Sequence, residues 1–169
     1  MKGIAQVVLE GFLQDYSRSR MWTARFVRQF GDKDLGLKPG VGSMETRAQV
    51  LQILQSDNFV MSVLKDEVPS VEKFERDYDV STVKICLDSL KNGLKEVHQA
   101  AREISEEAWI QEVEPFGPEW RLTRGQMAYL MIDHESHHRG QLAVYLRVAG
   151  KTPDLLYAPV DEQVFDLNG

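Results

Sequence analysis

The fold of this chain is best predicted from "TRGQMAYLMIDHESHHRGQLAVYLRVAG", residues 123 to 150. Thr123 and Gln126 have the spacing of a helix capping box, and apolar residues then recur every three or four positions. Gly150 is the kind of residue that ends a helix, and Pro153 follows it closely. The stretch therefore predicts one amphipathic helix from Thr123 to Ala149.

Three further segments show the same periodicity, and glycine- or proline-containing stretches separate them. They run from about Ile4 to Phe30, from Ser43–Thr46 to Leu64, and from about Ser81 to Ala101. Thr46 and Gln49 have capping-box spacing at the start of the second segment. We therefore predict an all-α fold, a four-helix bundle with long crossover loops.

The remaining segments are too short to form a second domain. Residues 105 to 123 contain two prolines and a glycine between apolar residues, which predicts a loop with a short hairpin. The tail from Thr152 to Gly169 is expected to fold back over the bundle. Residues 1–169 are thus predicted to form a single domain.

Composition excludes several classes of function. The chain has 43% apolar and 27% charged residues, typical of a globular protein, and no apolar run long enough to predict a membrane helix. The net charge of −6 argues against nucleic-acid binding. Arg18, Arg20, Arg25 and Arg28 follow helical spacing and predict a solvated face of the first helix.

The single cysteine, Cys86, lies among apolar residues and cannot form an internal disulfide. Its position predicts a small core residue. The N-terminal residues lack the pattern of a secretory signal, and we therefore expect the protein to be cytoplasmic.

The chemistry of the chain is concentrated in the fourth predicted helix. His134 and His138 lie one turn apart and within roughly 40° of each other around the helix axis, so both can bind one metal ion. They share a stripe with apolar residues and should face the bundle interior. Alternatively, the imidazoles are hydrogen-bonded to backbone groups or to carboxylates such as Asp133 and Glu135. His98 and His137 are not predicted to be ligands.

His134 to His138 also match the His-Glu-x-x-His pattern of zinc peptidases. Such enzymes need a third protein ligand and a cleft for an extended peptide, and the sequence predicts neither. Glu135 lies roughly 100° from His134 and is expected on a flank of the helix or in solvent. The peptidase is therefore a minor alternative.

The stretch "DHESHHRGQLAVYLRVAG", followed by Pro153 and Tyr157, resembles the fourth-helix signature of the DinB/YfiT-like superfamily of four-helix bundles. The resemblance extends over the whole chain. It implies a divalent metal ion, nickel or zinc, held by His134, His138 and a third ligand on the second helix. The third position of the motif, a histidine in the family, is Gln52 here. Asp57 and Cys86 are possible substitutes.

The resemblance also implies a function. It suggests a metal-dependent enzyme that uses a low-molecular-weight thiol, as an S-transferase or a hydrolase, with Arg139 and Gln141 binding an anionic group of the substrate or thiol. Alternatively, Arg139 forms a salt bridge with Glu135, which lies four residues before it on the same helix.

The competing hypothesis is a non-catalytic, stress-associated scaffold with a degenerate metal site. In either case the resemblance implies a homodimer. Three aromatic residues of the long loop are expected to be exposed and to form an interface or a substrate lid, namely Trp109, Phe116 and Trp120.

Overall fold

The computed structural model describes residues 3–65, 67, 74, 77–115, 117–155 and 159, and it confirms the all-α prediction. The helices are α1 (Ile4–Val27), α2 (Thr46–Leu64), α3 (Val83–Ala100), α4 (Glu106–Ile110) and α5 (Arg124–Val148). A 3-10 helix spans Asp32–Gly36. Strands β1 (Glu112–Val113) and β2 (Leu122–Thr123) form one antiparallel pair, which is the predicted hairpin. Among the described residues, no helix is long and apolar enough to cross a membrane.

The four long helices form the bundle. α5 packs against α1 and α2, and α3 packs against the same two helices from the other side. One continuous core fills the space between them because each helix contributes a buried apolar stripe. The fully buried side chains of this core include Phe12, Ile53, Leu90, Leu94, Met127 and Leu142.

The predicted capping boxes of α5 and α2 have opposite outcomes. At α5, Thr123 accepts a hydrogen bond from the backbone N–H of Gln126, and the Gln126 side chain accepts one from the Thr123 N–H. At α2 the prediction is wrong, because Glu45 occupies the N-cap position and the Thr46 backbone N–H donates to the Leu37 carbonyl. Gln49 is therefore available for another role.

The long loop corrects the prediction of exposed aromatic residues. Trp109 lies in α4 and is only 2% exposed, because its ring packs against Phe12 at a centroid distance of 5.5 Å. A side chain at Gly125 would overlap the Trp109 indole, so glycine permits this contact. Trp120 is 53% exposed. Phe116 lies outside the described residues.

The arginines of α1 do not form a solvated face. Arg20 and Arg25 are buried, whereas Arg18 and Arg28 are exposed. Arg25 is buried because the tail folds back over α1 and the guanidinium donates to the Leu155 and Pro159 carbonyls. For the described residues of the tail, the predicted fold-back is therefore confirmed.

Candidate metal centre

The histidine pair projects from α5 toward α2, into the bundle as predicted. His138 is 7% exposed and His134 is half-buried. Their rings lie with centroids 4.5 Å apart, and the two Nε2 atoms are 3.1 Å apart. Both imidazoles therefore direct the same nitrogen to one point.

A chain of hydrogen bonds fixes the tautomer of His138. The Tyr145 hydroxyl donates to the Met44 carbonyl, which can only accept, at 2.7 Å. The same hydroxyl accepts from Gln49 Nε2 at 3.3 Å, so Gln49 Oε1 faces His138 Nδ1, at 2.6 Å. An amide oxygen only accepts, and His138 therefore carries its proton on Nδ1 and a lone pair on Nε2.

Hydrogen bonds from α2 orient His134 in the same way. Its Nδ1 lies 2.8 Å from Ser56 Oγ, and that hydroxyl donates to the Gln52 carbonyl at 3.1 Å. With the serine proton on that carbonyl, Ser56 accepts from Nδ1, and Nε2 of His134 keeps a lone pair. With the serine proton on Nδ1, Nε2 of His134 donates to Nε2 of His138 instead. The Phe74 ring packs nearly perpendicular to this imidazole, at a centroid distance of 5.4 Å.

The electrostatics of the pair fit a bound cation. Burial lowers the pKa of His138 to about 4, and it also lowers the pKa of His134. Both rings are neutral at pH 7, and the 3.1 Å between the two Nε2 atoms fits either one hydrogen bond between the rings or two lone pairs directed at one cation. Nδ1–H groups tied to neighbouring acceptors are also the usual support of metal-binding histidines.

The predicted third ligand, Gln52, lies on the α2 face that contacts the histidines, between Gln49 and Ser56. It is half-buried, and its amide donates to Gln55 Oε1 at 3.2 Å. Within the described part of the chain, no group of three or more His, Cys, Asp or Glu side chains is arranged to hold a metal ion. A third protein ligand from these residues would therefore have to be of another type, such as an amide oxygen.

The two substitutes considered from the sequence are engaged elsewhere. Asp57 accepts hydrogen bonds from Tyr16 and from Arg20, both on α1. Cys86 is a free, fully buried core residue, as predicted. Burial raises the pKa of its thiol to about 11, so it is protonated and a poor ligand at neutral pH.

Glu135 contradicts the expectation that it would lie on a flank or in solvent. It is 0% exposed, accepts a hydrogen bond from Thr23 on α1, and has its Oε2 atom 3.4 Å from Arg20 Nη2. The reason is that α5 is covered by α1 on this side as well as by α2. Because the carboxylate faces α1 and the histidines face α2, Glu135 is not placed as the water-activating base of a zinc peptidase.

Arg20 and Asp57 complete a buried charged cluster with Glu135. Arg20 Nη2 lies 2.5 Å from Asp57 Oδ1, and both side chains are almost fully buried. Gly93 on α3 makes room for this carboxylate, since a Cβ there would overlap it. One guanidinium faces two carboxylates, and burial raises the pKa of Asp57 to about 6.

The structure separates Arg139 from the histidine face. Its guanidinium donates to the backbone and hydroxyl oxygens of Ser19 on α1, at 3.2 and 2.8 Å. Gln141 is half-buried on α5. Of the predicted non-ligands, His137 is exposed, and the Nε2 atom of His98 is hydrogen-bonded to the Ser17 hydroxyl at 2.7 Å.

Sequence reasoning missed Gln49, Ser56 and Tyr145 as partners of the histidines. Gln49 was assigned to a helix cap. The available signal was the spacing of Gln49 and Ser56, seven residues apart on α2, which places both on one helix face around Gln52.

Comparison with known proteins agrees with this architecture. The model of the DinB family matches residues 6–165, and the chain belongs to that family. The DinB-like protein YjoA from Bacillus subtilis superposes with a TM-score of 0.67 at 23% identity, covering 84% of this chain and 93% of that one. A DinB-like protein from Bacillus cereus ATCC 10987 gives a TM-score of 0.72 at 20% identity, covering 88% and 97%.

A local sequence match adds one relative. The chain is 37% identical over 43 residues to the uncharacterized protein YrdA of Bacillus subtilis (strain 168). The match spans about a quarter of each protein, 25% of this chain and 26% of the relative. The comparisons thus establish the family and the fold.

Proposed function

We propose that this DinB family member binds one divalent metal ion, nickel or zinc, through His134 and His138, and acts as a metal-dependent thiol S-transferase or hydrolase. The observation that supports the proposal is the convergence of the two Nε2 atoms, 3.1 Å apart, with both Nδ1 atoms held by α2. Imidazole is a good ligand for both metals.

The residues around the pair have defined roles in this proposal. Gln49 holds His138 in the required tautomer, and Tyr145 holds Gln49. Ser56 accepts from Nδ1 of His134 when Nε2 of that ring binds the metal ion. Gln52 supplies its amide oxygen as the third ligand, by giving up the hydrogen bond that its Nε2 donates to Gln55 and turning toward the histidines. A divalent ion with an open coordination position lowers the pKa of a thiol or water and so supplies a nucleophile.

The test uses untagged protein, stripped of metal and reloaded with nickel or zinc, and mixed with a low-molecular-weight thiol and a panel of electrophiles and esters. Thiol consumption or ester cleavage should depend on the metal and be lost in His134→Ala. His137→Ala is the matched control, because His137 is an exposed neighbour on the same helix, and it should retain activity. Equal activity in His134→Ala and wild type would refute the proposed centre.

A non-catalytic scaffold is the second candidate. It is favoured by the hydrogen bonds themselves, since every nitrogen of the two imidazoles already has a protein partner and Gln52 is bonded to Gln55. In this case the chain would form a homodimer through exposed apolar residues such as Ile4, Ile110 and Trp120. Sedimentation analysis that finds a metal-independent dimer, together with no metal uptake, would support the scaffold over the enzyme.

A further inference from the structure

A cleft lies on the side of α5 away from the histidine pair. It has a volume of about 500 Å³ and lies between α1 and α5. Ile132 and Ser136, which line it, lie roughly 160–200° around the helix axis from His134. This volume is within the range of about 300–1,000 Å³ found for small-molecule sites. The cleft is therefore separate from the candidate metal centre.

The floor of the cleft carries a fixed cation. Arg139 is 4% exposed, and its Nη1 atom is anchored on Ser19, with the guanidinium over the Trp22 ring at 5.5 Å. Its Nη2 atom donates to Ser136 Oγ at 2.8 Å. Because Ser136 is exposed, its hydroxyl can rotate away from Arg139. A carboxylate arriving from solvent can then accept hydrogen bonds from Arg139 Nη2 and from the Ser136 hydroxyl.

The wall of the cleft carries the opposite charge. Asp133 is exposed and lines the cleft beside Ile132, and no ion pair to it is formed within the described part of the chain. Arg18 and Asp15, also at the cleft, form an ion pair with each other. The cleft thus offers a buried guanidinium, a solvent-facing carboxylate and an apolar surface from Trp22.

We propose that this cleft binds a small zwitterion, an α-amino acid with an apolar side chain. The carboxylate of the ligand binds Arg139 and Ser136, the ammonium group binds Asp133, and the apolar side chain packs on Trp22 and Ile132. A ligand that lacks either charged group forms fewer charge-assisted hydrogen bonds in the cleft and binds more weakly.

The test is an NMR titration of the full-length protein with L-phenylalanine, 3-phenylpropionate, which lacks the ammonium group, and phenethylamine, which lacks the carboxylate. Saturable shifts should map to α1 around Trp22 and to α5 around Ser136, and phenylalanine should bind roughly tenfold more tightly than either analogue. In Asp133→Asn the preference over phenylpropionate should disappear. Asp88→Asn, an exposed acid on α3, should leave it unchanged.

Three results would overturn this site. They are the absence of saturable binding at millimolar concentrations, equal affinity for all three compounds, and unchanged preference in Asp133→Asn. His134→Ala provides an independent check on location, since it should abolish metal uptake and leave phenylalanine affinity as in wild type. Loss of phenylalanine binding in that variant would assign the ligand to the metal centre instead.

Discussion

Two buried polar groups share helices α2 and α5, and they are built in opposite ways. In the charged cluster, Arg20 lies against Asp57 and Glu135, and the side chains of all three are almost fully buried. In the histidine pair, neutral rings of His134 and His138 converge on one point, His138 is buried and His134 is half-buried. Both groups need partners, but only the cluster contains charges of both signs.

The difference separates a structural group from a candidate functional one. Opposite charges at hydrogen-bond distance compensate one another, so the cluster specifies how α1 meets α2 and α5. The histidine pair brings two Nε2 atoms of neutral imidazoles within 3.1 Å of each other, where both can bind one cation. We therefore expect substitutions in the cluster to change stability, and substitutions around the pair to change metal affinity.

The largest effect on stability should come from Arg20→Met. Removal of the guanidinium leaves the buried carboxylates of Asp57 and Glu135 without their cation, which should cost about 3–5 kcal/mol. Urea unfolding measures this change. Arg18→Met is the matched control, since Arg18 is exposed and pairs only with Asp15 among the charged side chains that the structure describes, and it should cost less than about 1 kcal/mol. Similar losses in both variants would contradict the assigned role.

Asp57 should make stability depend on pH. Burial raises its pKa to about 6 in the folded protein, above the unfolded value, against the opposing effect of Arg20. The native state therefore binds the proton of this carboxyl more tightly than the unfolded state does. Its contribution is present below about pH 4 and is lost as the pH rises through 6, a change on the order of 3 kcal/mol.

The measurement compares the free energy of unfolding of wild type and Asp57→Asn between pH 4 and 7. As the pH rises, the free energy of unfolding of wild type should fall relative to that of Asp57→Asn. Tyr16 and Arg20 from α1, Glu96 from α3 and Glu135 from α5 also act on this carboxyl and are common to both proteins. Parallel pH profiles for the two proteins would show that Asp57 does not titrate in this range.

Gly93→Ala should destabilise the protein by about 1–3 kcal/mol, because the new Cβ would overlap the Asp57 carboxylate and push α3 from α2. Gly140→Ala is the matched substitution in α5, where a Cβ meets nothing within 4 Å. It should stabilise the helix by up to about 1 kcal/mol. Thermal unfolding of both variants should thus give shifts of opposite sign, and a neutral Gly93→Ala would refute the close packing.

The smallest effect on stability is expected for Tyr145→Phe, about 1 kcal/mol or less. The variant frees Gln49 to rotate and so removes the constraint that keeps the proton of His138 on Nδ1. Zinc affinity should fall by roughly tenfold, as it does when partners of metal-binding histidines are removed. Tyr129→Phe is the matched control, because Tyr129 lines the cleft between α1 and α5, and it should leave zinc affinity unchanged. Nitrogen-15 shifts of His138 would show directly whether the tautomer becomes mixed.

The sequence predicted the bundle because amphipathic periodicity and breaker residues depend on local spacing. It also placed His134 and His138 on the buried face. It failed where a contact depends on which helices surround a residue. Arg20 was predicted on a solvated face, and Glu135 on a flank of the helix or in solvent, whereas α1 and α5 bury them against each other.

Gln49 shows the same limit at the candidate site. Its spacing from Thr46 suggested a cap, and only the approach of α5 brings it to His138 at 2.6 Å. The third ligand remains a prediction of the resemblance.

Calorimetric titration of zinc and nickel into metal-free protein tests the central claim most directly. We predict one ion per chain for wild type, no binding for His138→Ala, and tighter binding for Gln52→His, which supplies a third imidazole on the face of α2 that contacts the pair. Gln99→His, on the exposed side of α3, should match wild type. Absence of binding to wild type, or equal binding to His138→Ala, would contradict the claim that the histidine pair is a metal centre.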